Sequence, residues 1–243
     1  MLKLLSINIE RDHHIQSVLG LIVRERPDVL CLQELLERDI PIFEEAYGAK
    51  CEYVPMSIFP GRQNKSNTDE VYGFGIFSVF LTSHVRSTYY AENQEGVVLC
   101  ADEEVTPCNR ALLLADIEKE GDVYSIATTH FTWTPHGYPD ARQERDLVPF
   151  LRLLAQEDRF ILCGDLNAPR GMKTFGTLAS IYKDNIPDEY LTSLDPELHR
   201  THGAKQFMVD ALFTTSQYHV SDVRLEFGVS DHAAIVAMID KAR

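Results

Sequence analysis

Phe160-Ile161-Leu162-Cys163-Gly164-Asp165-Leu166-Asn167 decides how this chain is read. An apolar run of the kind buried on both faces of a sheet breaks off at a glycine and hands over to an acid and an amide. The same layout recurs elsewhere. Leu4-Leu5-Ser6-Ile7 stops at Asn8, Val29-Leu30-Cys31-Leu32-Gln33 at Glu34, and Tyr124-Ser125-Ile126-Ala127-Thr128-Thr129 at His130. Ligands of α/β proteins collect just beyond strand ends, so one sheet edge is expected to gather these residues. Carboxylates, amides and imidazoles together suit a hard, oxygen-seeking cation such as Mg²⁺, whose shell is completed by water and substrate oxygens. Chemistry on phosphate esters is the resulting expectation.

Within the deciding stretch, Gly164 lets the backbone turn without side-chain obstruction. Asp165 and Asn167, two apart on an extended segment, should face the same way, where they could orient a water and the oxygens around it. An Asp-x-Asn in a loop is equally at home as ordinary turn chemistry. Ser230-Asp231-His232 stands at the mouth of the apolar Ala233-Ala234-Ile235-Val236. There Asp231 could bind metal and His232 phosphate, against the plainer reading of a capped turn with an exposed histidine.

Working outward, Ile15, Val18, Leu19, Ile22 and Val23 form one helical stripe with Asp12 as N-cap and Pro27 as stop. Residues 28–34 then read as a buried strand, which makes a parallel strand–helix–strand unit. A short helix follows over 41–47, ended by Gly48. Residues 55–72 carry Pro, Gly, Asn, Ser, Lys and Arg and read as a long surface loop before a strand over 73–81. Residues 89–109 read as a second, acidic irregular region. The segments 110–117 and 122–130 pair through a turn at 118–121. Leu147, Phe150, Leu151 and Leu154 form another helical stripe. Strand candidates near 207–215, 223–227 and 233–239 close the chain, with no internal repeat.

The 243 residues favour a single domain, and 44 % hydrophobic with 25 % charged residues is an ordinary globular composition. The five cysteines show no zinc-ligand spacing. Cys100 and Cys108 could pair, but free thiols in a reducing compartment are the expectation, which places the protein in the cytoplasm. No run reaches membrane-spanning length. A net charge of −14 argues against a broad basic face gripping nucleic acid, although metal in a site can neutralise charge locally.

Taken in order, Ser6-Ile7-Asn8, Leu32-Gln33-Glu34, Thr129-His130, Gly164-Asp165-Leu166-Asn167, Val209-Asp210 and Ser230-Asp231-His232 resemble the endonuclease/exonuclease/phosphatase superfamily over nearly the whole chain. That superfamily includes DNase I, abasic-site endonucleases, tyrosyl-DNA phosphodiesterase 2, deadenylases, inositol polyphosphate 5-phosphatases and neutral sphingomyelinases. The general look is closest to the tyrosyl-DNA phosphodiesterase 2-like and generic bacterial members. The resemblance implies an α+β fold, a sandwich of two mixed β-sheets flanked by helices (DNase I-like). It implies a Mg²⁺-dependent phosphoesterase, with Mn²⁺ as a substitute, in which Glu34, helped by Asn8 and Asp231, binds the metal. Asp165 and Asn167 would position the attacking water and the phosphate, His130 and His232 would contact phosphoryl oxygens, and Asp210 would orient His232.

Trp133, Arg142 and Arg170 are candidates for substrate contact, with loop packing and surface solvation as the plain alternatives, and Glu70 is a candidate to orient His130. The expected partner is a phosphate-ester substrate, with nucleic acid as one candidate, acted on by a monomer. A nuclease or DNA-end phosphodiesterase competes with a phosphatase of a small or lipid phosphate. From another class comes a binding module that keeps the fold but has lost catalysis.

Overall fold

The computed structural model describes residues 1–91, 96–100 and 108–242, save the Gln63 side chain. In its first half Leu2–Asn8 (β1), Ile15–Glu25 (α1), Val29–Leu36 (β2), Ile40–Tyr47 (α2), Cys51–Phe59 (β3), Glu70–Ser78 (β4), Leu81–Ala91 (β5) and Val98–Leu99 (β6) follow in order. Then come Arg110–Lys119 (β7), Asp122–Thr129 (β8), Ala141–Leu154 (α3), Ile161–Asp165 (β9), Lys173–Ala179 (α4) and Lys183–Asp184 (β10). Asp210–Thr214 (β11), Tyr218–Glu226 (β12) and Ala234–Lys241 (β13) complete it.

These strands form two mixed sheets, one of seven strands in the order β12-β13-β1-β2-β4-β3-β6 and one of six in the order β10-β11-β9-β8-β7-β5. The expected parallel unit is present, since β1 and β2 pair in parallel across α1, and β8 and β9 do the same across α3. The apolar runs are continuous because both faces of each inner strand are covered. Leu4, Cys31, Ile161 and Cys163 fill the layer between the sheets. Their neighbours Leu5, Ile7 and Leu30 lie under Val18 and Ile22 of α1, while Leu162 lies under Phe150 of α3 and Phe175 of α4. The architecture is therefore the sandwich flanked by helices that the motif order led one to expect.

Several boundaries differ from the expectation, each for a local reason. Helix α1 is capped at His14 rather than Asp12. The Asp12 carboxylate instead accepts the Lys65 and Ser66 N–H groups at 2.9 and 3.1 Å and pairs with Arg38 at 2.8 Å. Leu21 and Ile22 face inward while Val23 is 61 % exposed. Pro55 lies inside β3, at a register shift where a missing N–H is tolerated, so the loop before β4 is shorter than composition implied. The polar β5 was hidden because it is an edge strand, paired only with β7. Part of the second irregular region, residues 92–95 and 101–107, lies outside the described residues.

The expectation of free thiols fails for one pair, because Cys100 and Cys108 are disulfide-bonded with Cα atoms 5.7 Å apart. Pairing of β6 with β3 places Cys100, whose N–H donates to the Ile58 carbonyl at 2.8 Å, and spacing alone could not show that. Cys31, Cys51 and Cys163 are free. Among the described residues no helix is long and apolar enough to cross a membrane.

Away from the strand ends, Glu25 ties α1 to both β1 and β12. Its carboxylate takes Lys3 Nζ at 2.9 Å, Arg24 Nε at 3.2 Å and the Arg224 guanidinium. Burial alone raises this carboxyl, but the hydrogen bonds from Lys3, Arg224 and Arg24 outweigh it and bring it from 4.5 down to about 2. Because the folded value is the lower one, the stabilisation is full above about pH 4.5 and is lost as pH falls toward 2. Glu25→Gln is therefore expected to destabilise the protein by about 1–2 kcal/mol at pH 7, allowing for screening of its partly exposed partners. Denaturant melts against pH should show the gap to wild type closing in acid. A gap that persists at the acid end would remove the ion pairs as its cause.

Candidate active site

The residues expected at one sheet edge are in fact shared between two. Asn8 and Glu34 come from β1 and β2 of the seven-stranded sheet, and Asp165 and the residue after β8, His130, from the six-stranded one. They meet because the two parallel pairs end on the same side of the sandwich. Two hydrogen bonds bridge the sheets there, Asn8 Nδ2 to Asp165 Oδ2 at 3.1 Å and Gln33 Nε2 to Thr128 Oγ1 at 3.1 Å. Strand β13 runs antiparallel to β1, which brings its mouth, Asp231 and His232, to the same place. Strand β11 runs antiparallel to β9 with Asp210 directly opposite Asp165.

Asp165 is the hub. Its Oδ1 accepts the Asn167 N–H at 2.7 Å, while its Oδ2 faces His130 Nε2 at 3.5 Å and His232 Nε2 at 3.8 Å. Asp165 and Asn167 thus meet through a turn with Asn167 at φ 50°, not along an extended segment as expected. The turn chemistry and the functional placement are one feature. Asn167 Nδ2 donates to the Phe131 carbonyl at 3.1 Å, tying this loop to the one after His130. Burial raises the Asp165 carboxyl, but the charges of His232 and His130 and the bonds from His130 and the Asn167 N–H hold it well below the usual carboxylate range.

His232 completes a buried relay, with Nδ1 on Asp210 Oδ2 at 2.7 Å. Burial disfavours its charge, yet Asp210, Asp165 and Asp231 reverse that and keep the imidazole protonated far above its ordinary range. Asp210 also fixes which nitrogen points to Asp165. Glu70 pairs with Arg38 at 2.8 Å and does not orient His130, whose Nδ1 has no hydrogen-bond partner among the described residues.

Glu34 sits at φ 55° on a bulge where β2 pairs with β4, and the bulge turns its carboxylate out of the ladder. Asn8 Nδ2 donates to its Oε1 at 3.3 Å. Arg11, which sequence reading missed, binds its Oε2 at 2.5 Å and lies over Phe59, 4.4 Å from the ring centre. Asp231 lies in the same cleft, and burial pushes its carboxyl up to about 7 despite His232, with Glu10 and Glu34 adding to the rise. Two carboxylates and an amide, crowded in this way, are a donor set suited to a hard divalent cation. Asp165, Asp210 and His232 also place ligand atoms within 4.8 Å of one another. His232 and Asp210 are already joined to each other through Nδ1 and Oδ2 at 2.7 Å, so the first group fits better.

Other residues hold the loops and carried no motif. Gln143 of α3, fully buried, donates to the Thr132 and Asn167 carbonyls at 2.9 and 3.1 Å and accepts from Thr174 Oγ1 at 2.7 Å. Ser193 Oγ accepts the Val209 and Asp210 N–H groups at 3.1 Å. Asp195 accepts the Gly228 N–H at 2.6 Å and donates its own N–H to the Asp231 carbonyl at 2.8 Å. Their signal is a polar residue buried in a loop or on an inward helix face, which only coordinates reveal.

Of the three substrate candidates, Trp133 lines the cleft, whose volume is about 440 Å³. Arg142 donates to the Trp133 carbonyl at 3.0 Å, behind that wall. Arg170 is not brought to the cleft. It pairs with Asp184 at 2.7 Å and donates to the Ile186 carbonyl at 2.8 Å, a strut for the chain after α4.

The sequence profile of the Endonuclease/Exonuclease/phosphatase family matches residues 5–232. No curated protein matches the sequence. The fold is similar to an endonuclease/exonuclease/phosphatase from Bacteroides vulgatus, at TM-score 0.70 and 18 % identity over 99 % of each chain. It is similar to a mannosyl-6-phosphatase from Bacteroides thetaiotaomicron, at TM-score 0.68 and 12 % identity over 99 % of this chain and 100 % of that one. A humanized D. rerio TDP2 matches at TM-score 0.64 and 15 % identity over 98 % of each chain.

Proposed function

This chain belongs to the endonuclease/exonuclease/phosphatase family, and from that membership we propose that it is a Mg²⁺-dependent phosphoesterase, a nuclease or DNA-end phosphodiesterase by preference, that hydrolyses its substrate by direct attack of water. The observation that carries the reading is the buried Asp210–His232–Asp165 relay opening on the same cleft as Glu34 and Asp231. An acid placed 3.5 and 3.8 Å from two imidazoles in an open cleft favours proton-transfer chemistry over a binding module without catalysis.

In this reading Glu34, Asp231 and Asn8 hold the divalent cation, directly or through water. The cation, when bound, supplies Lewis-acid polarisation of a phosphoryl oxygen. Asp165 orients the water and accepts its proton, which its ionised state allows. The charged His232, backed by Asp210, and His130 donate to the phosphoryl oxygens, where charge accumulates as the bond breaks. Asn167 holds the loop that fixes the water's side of the site.

Hydrolysis of bis-p-nitrophenyl phosphate and of short DNA with Mg²⁺ or Mn²⁺ tests the reading. Activity should vanish in EDTA and fall by at least about 100-fold in Glu34→Gln. Rates untouched by both changes would overturn it. The cleft is also wide enough for a small phosphate ester, so a phosphatase is the second reading. A small monoester turned over faster than DNA would favour it. The reading keeps the protein cytoplasmic on the strength of free Cys31, Cys51 and Cys163, with the Cys100–Cys108 bond weighing toward an oxidising compartment.

A further inference from the structure

The chain carries 23 Lys and Arg against 37 Asp and Glu. Exposed cations such as Arg26 and Lys183 also form no ion pair among the described residues, but one that does so inside the cleft is informative. Arg11, Arg38, Arg170 and Arg224 are all paired with acids. Arg200 and Lys205, both on the cleft wall, form no ion pair among the described residues. Arg200 lies over the Trp133 ring, 5.8 Å from its centre. Lys205 Nζ donates to the His136 carbonyl at 2.8 Å and lies over Phe207 at 5.8 Å. Aromatic faces and a carbonyl hold both cations in place without neutralising them.

Arg11, which also lines the cleft, is neutralised by Glu34, whereas Arg200 and Lys205 line it beside Trp133 without such a partner among the described residues. The Arg200 segment adjoins the relay, since the ring of His199, next to Arg200, meets the His232 ring edge-on at 6.3 Å. It is also anchored. Asp195 and Ser193 clamp the segment leading to Arg200 onto the strand mouths that carry Asp231 and Asp210. A phosphate bound by His232 would leave whatever is attached to it facing this wall.

We propose that Trp133, Arg200 and Lys205 form a subsite for a second phosphate of the substrate, so that the preferred substrate class is a phosphate ester with a further phosphoryl group close to the scissile one. The inference rests on the phosphoesterase reading above. A nucleotide with both 3′- and 5′-phosphates and a sugar bisphosphate share this chemistry. Charge-assisted hydrogen bonds from one guanidinium and one ammonium correspond to roughly a tenfold to hundredfold preference over the monophosphate.

Trp133 is the only tryptophan in the chain, so its fluorescence reports on this wall directly. The test titrates Asp165→Asn, with Mg²⁺ present and turnover suppressed, using thymidine 3′,5′-bisphosphate against thymidine 5′-monophosphate and fructose 1,6-bisphosphate against fructose 6-phosphate. Each bisphosphate should bind at least about tenfold more tightly than its partner, and the gap should shrink below about threefold when Arg200→Gln and Lys205→Gln are added. A preference in both pairs supports recognition of the phosphate alone, and one in the thymidine pair only supports a phosphate carried on a nucleoside. Equal affinity within both pairs, or a preference that survives the double substitution in a variant with a native circular dichroism spectrum, overturns the subsite. If the wild type hydrolyses none of the esters with Mg²⁺ while the binding preference stands, the phosphoesterase reading falls and the subsite remains.

Discussion

Asp165→Asn is expected to lower metal-dependent phosphodiester hydrolysis by about 10³–10⁴-fold with the fold intact. The amide keeps the shape of the acid, and its oxygen can still accept the Asn167 N–H now bonded at 2.7 Å. What disappears is the negative charge faced by His130 at 3.5 Å and His232 at 3.8 Å. With it goes, in the proposed mechanism, the group that accepts the proton of the attacking water. The loop bond to Asn167 survives, but the Asn8 Nδ2 bridge to Asp165 Oδ2 at 3.1 Å would face an NH2 and be lost, so a stability loss of about 1 kcal/mol is expected beside the much larger loss of rate. Initial rates on bis-p-nitrophenyl phosphate, beside circular dichroism and a thermal melt, check it. A variant that keeps half the wild-type rate would take Asp165 out of the chemistry.

Gly164→Ala is the largest expected loss of stability. The residue has φ 138°, a conformation L side chains rarely adopt, and an added Cβ would stand 2.2 Å from the Thr129 carbonyl oxygen of the neighbouring strand β8. That oxygen is backbone and cannot swing away. Strain at such a position costs about 1–3 kcal/mol and overpacking about as much again, so a loss of about 2–6 kcal/mol, centred near 4, follows. For a chain of this size that corresponds to a melting temperature roughly 10–15 °C lower. The shift in β8 would also displace His130 from Asp165, so activity should fall with stability. A thermal melt within 2 °C of wild type, read as about 1 kcal/mol or less, would show that the sandwich relaxes around the clash.

Much of the architecture was legible because burial leaves a periodic trace. Leu4, Leu5 and Ile7, or Ile161, Leu162 and Cys163, alternate between the layer under the helices and the layer between the sheets, and that double burial is what makes a run continuously apolar. Where a strand has only one partner the trace fades. The polar β5 went unseen for that reason, and the second half of β3 was read as loop because Pro55 at a bulge looks in sequence like a loop residue.

The site was legible to the extent that its residues terminate such runs. Asn8, His130 and Asp165 stand at strand ends, Glu34 on a bulge inside β2 rather than at its end, and Asp231 and His232 at a strand mouth. Arg11, Gln143, Ser193 and Asp195 were not, because each acts from a loop or a helix face through bonds to groups distant along the chain. Arg170 shows the converse. It follows Asn167 closely, yet Asp184 and the Ile186 carbonyl draw it away from the cleft.

By itself the order of residues determined that buried strands would end in acids, amides and imidazoles, since hydrophobic periodicity and turn chemistry are local. Tertiary structure alone decided that these ends belong to two facing sheets, that Asn8 and Asp165 bond across the gap, and that Arg200 and Lys205 line the same cleft with no ion pair among the described residues. The physical reason is range. A strand is specified by neighbours two residues away, whereas the charge and reach of a site depend on groups brought together only when the sheets close on each other.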